Sequence, residues 1–242
     1  MPRNRATITA IMATMTISTD ELFQLMSWLS PAFPVGAFSY SHGLEYAVEA
    51  GLVGDEATLE SWVRTCLAQE FAPVSGLLLR AAYHAVAARD AQALSVTLAE
   101  ARALVPTPEF ELECQAQGTA FMATLIAAWP QTGMLKDMER TQGWISYASA
   151  VGIAAAAANI PLRPTLAAFF HAVVSNLLSA GVRLIPLGQT AGQRILARLQ
   201  GAVAAATQDA LTREACNMGA AAPIIEWAST RHETQYTRLF RS

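Results

Sequence analysis

Aromatic and titratable side chains crowd one short stretch of this sequence, Ser30 to Glu45, which reads SPAFPVGAFSYSHGLE. His42 can take or give a proton near neutral pH, and Tyr40 and Glu45 lie close enough in sequence to orient it. One chemistry open to the stretch is therefore general-base catalysis, in a helical hydrolase or metal-binding enzyme built on His42 and Glu45. The other reading is structural: a turn and a helix start packed on the core. Pro34 followed two residues later by Gly36 suits a type I turn, with proline presetting one dihedral and glycine easing the exit.

Little else in the sequence supports catalysis or a dedicated cofactor. It has no Walker-type loop, no GxGxxG, no HExxH and no GxSxG. The four histidines, His42, His84, His171 and His232, are scattered, so any metal site depends on folding or on a second subunit. Cys66, Cys114 and Cys216 form no CxxC pair and read as reduced thiols of a cytoplasmic protein. A net charge of −3 gives no footprint for nucleic acid, because phosphate binding needs clustered Lys and Arg.

Two further segments carry recognition-type residues. In NLLSAGVRLIPLGQ, Asn176, Ser179 and Arg183 recur at helical spacing and put a polar stripe on an apolar helix. The stripe lines a cavity, meets another subunit, or satisfies nearby backbone carbonyls. In the last residues, RHETQYTRLFRS, Tyr236, Leu239 and Phe240 share one helical face with Arg231, Arg238 and Arg241 interleaved. Aromatic and arginine residues dominate interface hot spots, so this reads as a docking peptide; packing on its own domain is the alternative. Full burial of those three apolar groups contributes roughly 5 to 8 kcal/mol before ordering losses.

The elements that must position these segments are helices. Hydrophobic residues make up 53% of 242 and charged residues 14%, enough apolar surface for a sizeable core and too little charge for a disordered chain. After Thr58, the residues Leu59, Trp62, Val63, Cys66, Leu67 and Phe71 fall on one helical face. Thr107, Pro108, Glu109 and Glu111 form a helix start, with a capping side chain, a proline that needs no N–H, and acids at the positive end; Pro130 then stops that helix after Trp129. Trp144 to Asn159 is apolar nearly all round and rich in small residues, as an enclosed helix requires. Pro161 and Pro164 precede a helix from about Thr165 to Ile185, closed by Pro186 and Gly188, and another follows to about Leu211 with Ile195, Leu196, Leu199 and Val203 inward. The membrane candidate within Leu166 to Val182 is interrupted by polar residues and reads as a buried helix. We expect an all-α fold, one domain of roughly ten helices in a bundle over residues 20–242, after a flexible N-terminal extension at 1–19 that is too rich in threonine for a signal peptide.

SPAFPVGAFSYSHGLE with the following VEAGLV, SNLLSAGVRLIPLGQT and RHETQYTRLFRS together resemble, in order, the N-terminal, central and C-terminal signatures of the urease accessory protein family UreF. The likeness spans about Leu22 to Ser242, with departures at Thr119, Ser146, Ala148, Glu226 and Trp227. It implies an all-α, non-enzymatic adaptor that dimerises, binds the accessory protein UreD (UreH in some systems), recruits the GTPase UreG, and acts on apo-urease. Nickel and GTP would then be handled by the partners and not bound directly by this chain, with regulation of UreG hydrolysis through Tyr40, His42 and Glu45 as an alternative. The resemblance assigns Gly36, Phe38, Tyr40, His42, Gly43 and Glu45 to the dimer and GTPase-facing surface. It assigns Arg231, His232, Glu233, Gln235, Tyr236, Arg238, Leu239, Phe240 and Arg241 to UreD docking. Asn176, Arg183 and Gln189 would border a polar route for nickel.

Overall fold

Ser18 opens the first described helix, α1 (Thr19–Trp28), with a reciprocal cap: its hydroxyl accepts the Glu21 N–H and the Glu21 carboxylate accepts the Ser18 N–H. The computed structural model describes residues 17–129 and 143–242. The expected extension at 1–19 therefore falls largely outside the described residues, as does the helix stop assigned to Pro130; its last two residues cap and begin α1.

Helices α2 (Leu44–Glu49), α3 (Glu56–Cys66), α4 (Leu77–Ala87), α5 (Ala91–Ala103), α6 (Pro108–Ala128), α7 (Tyr147–Ala157), α8 (Leu162–Leu184), α9 (Gln189–Thr212) and α10 (Pro223–His232) follow, with no strand among the described residues. The fold is all-α, and one continuous hydrophobic cluster runs through it. The stripe of Leu59, Trp62, Val63, Cys66, Leu67 and Phe71 is buried as its spacing predicts. Thr107 caps α6 by accepting the Phe110 N–H. Helix α8 starts at Leu162 and not at Thr165, because Pro164 sits in the first turn, where a helix makes no use of its missing N–H. By length and composition α8 is apolar enough to cross a membrane, but half of its apolar window is buried inside the protein.

One element differs in kind from the helical face read through Leu67 and Phe71. Between α3 and α4 the helix widens into a π segment, Leu67–Gly76, with Pro73 inside it. A proline has no N–H and its ring displaces the carbonyl four residues back, here that of Gln69. That carbonyl accepts the Ala221 N–H at 3.1 Å, so the chain leading into α10 is hydrogen-bonded to the π segment beside Pro73. The wider turn also carries Glu70, discussed below.

Helix α7 packs between α4 and α6, with every residue from Ala148 to Ala156 buried. Close approach is set by glycine: a Cβ on Gly152 would lie 2.3 Å from the Leu79 carbonyl oxygen, and one on Gly118 would lie 2.3 Å from that of Ile145. Elsewhere, Arg80 on α4 donates to the Ala210 and Arg213 carbonyls and so closes the C-terminal end of α9, while Arg194 and Arg198 on α9 pair with Glu56 and Glu60 on α3. Gly152→Ala should therefore destabilise the fold by roughly 2–3 kcal/mol, whereas Gly201→Ala, on open surface of α9 with no neighbour within 4 Å, should stabilise it by about 0.5–1 kcal/mol. Denaturant unfolding of both variants checks the pair; equal effects would refute the packing assigned to α7.

Candidate functional site

The segment Ser30 to Glu45 folds tightly before α2. The Phe33 carbonyl accepts the Val35 N–H at 2.8 Å, a three-residue turn about Pro34 in place of the expected type I turn. Gly36 then takes a left-handed φ of 74°, and a 3-10 turn spans Ala37–Ser39. Two further left-handed residues follow, His42 at φ 56° and Gly43 at 75°. At Gly43 no side chain fits: a Cβ would lie 3.1 Å from the Ser229 nitrogen and 3.2 Å from the Ile225 oxygen of α10. His42 has a Cβ and still adopts this conformation, which persists only where surroundings over-determine it.

Those surroundings are two carboxylates and two rings. His42 Nε2 lies 2.8 Å from Glu70 Oε1 and Nδ1 lies 3.2 Å from Glu113 Oε2. The imidazole stacks on Phe110 at 4.0 Å between centroids, 6° from parallel, with Phe71 at 4.9 Å. Glu113 also accepts from Gln117 and from the Ser242 hydroxyl. Glu70 Oε2 has no protein partner, and Glu70, with His42, Glu113, Cys114 and Gln117, lines a cavity of about 80 Å³.

A second histidine repeats the arrangement. His232, at the end of α10 and fully buried, directs Nδ1 to the Glu109 carboxylate and Nε2 to Glu45 Oε2, each at 2.9 Å. Ionised carboxylates only accept, so both ring nitrogens of each histidine can donate only as an imidazolium, the form that the raised pKa of both rings favours. Burial alone opposes that charge. At His42 the Glu70 and Glu113 carboxylates outweigh it and hold the pKa up at about 10. At His232 burial again opposes the charge, and the hydrogen bonds it donates to Glu109 and Glu45 raise the pKa from the ordinary histidine value. Four glutamates and two histidines from the corner before α2, α2 itself, the π segment, α6 and α10 thus form two ion-pair triads that share α6.

The C-terminal residues close over these triads. Glu45 Oε1 accepts the Leu239 N–H at 2.6 Å and Oε2 the Phe240 N–H at 2.9 Å. The Arg241 N–H donates to the Ser39 carbonyl, and both the amide and the hydroxyl of Ser41 donate to the Ser242 backbone oxygen. Phe240 is buried, with the Arg183 guanidinium 4.4 Å above its ring, and Arg241 lies over Tyr40 at 5.7 Å.

Of the first candidate group, Tyr40, His42, Gly43 and Glu45 lie inside the protein, Gly36 is half-buried, and Phe38 is 68% exposed. Of the last, His232 and Phe240 are buried; Arg231, Glu233, Tyr236, Arg238, Leu239 and Arg241 are exposed; Gln235 is half-buried and donates to Glu49. The expected helical face of Tyr236, Leu239 and Phe240 does not form, since α10 ends at His232 and Phe240 alone turns inward. Its burial contributes roughly 2–3 kcal/mol, less than the figure for three. Of the polar stripe, Asn176 donates to the Ala37 carbonyl and Arg183 to that of Ser179. Gln189 lines a shallow pocket with Ser179 and Gln193.

Sequence reasoning missed Glu70, Glu109 and Glu113. The signal was available for two of them: Glu109, Glu113 and Gln117 recur every fourth residue, on the helix that also buries Phe110 and Phe121. The reading of His42 and Glu45 as a hydrolase pair is corrected here. Each is held by buried ion partners, and they serve different triads. Among the described residues no group of three or more His, Cys, Asp or Glu is arranged to hold a metal ion. Burial, reinforced by Glu113 and Glu70, pushes the Cys114 thiol well up, which keeps it neutral.

What the fold and site define is an all-helical protein whose buried charges join its two outer signature segments. A family model described as UreF matches residues 53–200. Proteins named urease accessory protein UreF are similar over most of the chain. That of Rhodopseudomonas palustris (strain BisB5) is 50% identical over 221 residues, 91% of this chain and 91% of the relative. Those of Bradyrhizobium diazoefficiens, 48% identical over 91% of each chain, and Azorhizobium caulinodans, 46% identical over 90% and 94%, are comparable. The chain belongs to the UreF family of urease accessory proteins. Its role is in urease maturation alongside other maturation factors, and it is not itself a catalytic enzyme.

The sign of the pH dependence follows from His42. Its folded pKa is raised from 6.5 to about 10, so its ion pairs contribute fully below pH 6.5 and are lost as pH rises towards 10. Urea unfolding should show stability falling by a few kcal/mol across that window. The fall should be much smaller in His42→Gln, which starts less stable; an equal slope in both proteins would contradict the imidazolium assignment.

Proposed function

We propose that this protein is a cytoplasmic, homodimeric adaptor that bridges UreD (UreH) and the GTPase UreG and assists nickel insertion into apo-urease, with nickel and GTP handled by those partners. The observation that carries the reading is the tail, where Tyr236 is fully exposed and Leu239 is 65% exposed on a segment whose backbone is fixed against the body. Large apolar side chains held in solvent by an ordered backbone are suited to a partner's pocket, because little ordering remains to oppose binding. Arg231, Arg238 and Arg241 flank them, and Arg238 is partly neutralised by Glu109.

Phe38 stands on the other signature, beside a cleft of about 170 Å³ lined by Phe33, Val35, His171, Ser175 and Asn176. It is the side chain of that signature best placed to meet UreG or a second copy. Regulation of UreG hydrolysis by direct contact of Tyr40, His42 and Glu45 finds no support in their burial. A nickel route past Asn176, Arg183 and Gln189 would need Asn176 and Arg183 to leave the carbonyls they now bind.

Co-purification with tagged UreD tests the tail. Tyr236→Ala with Leu239→Ala should lower UreD recovery at least tenfold while leaving the unfolding midpoint unchanged, and removal of 237–242 should abolish recovery. Wild-type recovery by the double variant would refute the docking role.

A further inference from the structure

We infer that Glu45 is a positioning residue for the C-terminal tail: its carboxylate sets the register in which Tyr236 and Leu239 are presented, so the first signature acts on partner binding through the last. The inference rests on the docking role proposed above and names the group that prepares it.

From Glu233 to Leu239 no side chain is buried, and Gln235 alone is half-buried. Apolar packing therefore does not hold this stretch; the Gln235 and Arg238 side chains reach Glu49 and Glu109, and the first backbone amides it donates to another element are the two on Glu45. The next amide, Arg241 N–H, goes to Ser39 O, so three consecutive donors of the tail are taken up by the first signature. Adjacent donors on the two oxygens of one carboxylate form a bidentate clamp, which is charge-assisted and fixes register as well as position. Register matters here because neighbours face opposite ways: Leu239 is 65% exposed and Phe240 4%. A slip of one residue would exchange them, offering Phe240 outward and removing Leu239 from the surface.

Glu45 is itself rigid. It sits in the first turn of α2, its own N–H donates to the Ser41 hydroxyl, and Oε2 is shared with His232 Nε2. The clamp reads only backbone, so the tail's own side chains do not reveal it. Removing the carboxylate leaves the Leu239 and Phe240 amides without these acceptors beneath a Phe240 side chain that still favours burial.

Amide exchange followed by mass spectrometry on the full-length protein, together with UreD capture, tests this. Glu45→Ala should speed exchange of the Leu239 and Phe240 amides at least tenfold more than it speeds exchange in α7, and lower UreD capture by a similar factor. Glu45→Gln, which keeps one acceptor oxygen, should fall between. Should Glu45→Ala unfold the body, Leu239→Pro decides, since it removes one clamped N–H and an exposed side chain; the Phe240 amide should again exchange at least tenfold faster. Wild-type exchange at Phe240 in Leu239→Pro and in a folded Glu45→Ala overturns the clamp. A freed tail with undiminished capture upholds the clamp and overturns the docking role, while a protected tail with lost capture does the reverse.

Discussion

Two imidazolium rings, each held between two glutamates, tie the beginning of the described chain to its end. The first and last of the segments singled out for their chemistry meet in this interaction. His42 and Glu45 lie more than a hundred residues from His232, and α6 bridges them with Glu109 and Glu113 one helical turn apart. Ionised groups with so little solvent contact must be paired, and the pairing here is complete for Glu45, whose two oxygens accept three N–H groups between them. Such an arrangement is poor evidence of net stability, because desolvation offsets much of the attraction, but removal of one member leaves an uncompensated buried charge at a cost of about 3–5 kcal/mol. Its value lies in specificity: few alternative packings satisfy two histidines and four carboxylates at once.

The same constraint explains the irregular backbone around it. A left-handed histidine, a left-handed glycine against α10, and a π segment with an internal proline would each be a defect alone. Together they converge on one site. The wide turn carries Glu70 to His42, the Ser41 to Gly43 corner turns His42 inward, and the Gln69 carbonyl accepts from the chain that leads into the helix bearing His232. Of the three left-handed non-glycine residues described, His42 stands at the triads, while Arg89 and Asn159 follow the ends of α4 and α7.

Helix periodicity, caps and the enclosed character of α7 were legible in the sequence because they follow from residues three to seven apart. The all-α class and the family followed from such patterns and from three ordered signatures. The triads were not legible. Their members are joined by contacts of long sequence separation, and a single acidic residue among apolar ones, such as Glu109 after Pro108, also suits a helix N-terminus facing solvent. The same ambiguity led the tail astray: Tyr236, Leu239 and Phe240 fit a helical spacing, but the helix stops four residues earlier and the backbone amides of the tail bind side chains of another segment. Pattern reveals which face of an element is apolar; it does not reveal that backbone will be claimed by a distant carboxylate.

The two outer signatures are therefore better regarded as one structural unit than as two adhesive surfaces. Most of what makes the first signature distinctive is inside: the Ser41 hydroxyl, the His42 ring, the missing side chain of Gly43 and the Glu45 carboxylate all face the tail, α10 or α6. Its outward contribution is largely Phe38, and that of the tail is Tyr236, Leu239 and the arginines. A partner that pulls on the tail acts on Glu45, and through His232 and Glu109 on α6, which also anchors His42. From the tail to Glu109 the route is a chain of charge-assisted hydrogen bonds, and from Glu109 to Glu113 it runs along one turn of α6, so the two triads share a rigid element and not only proximity.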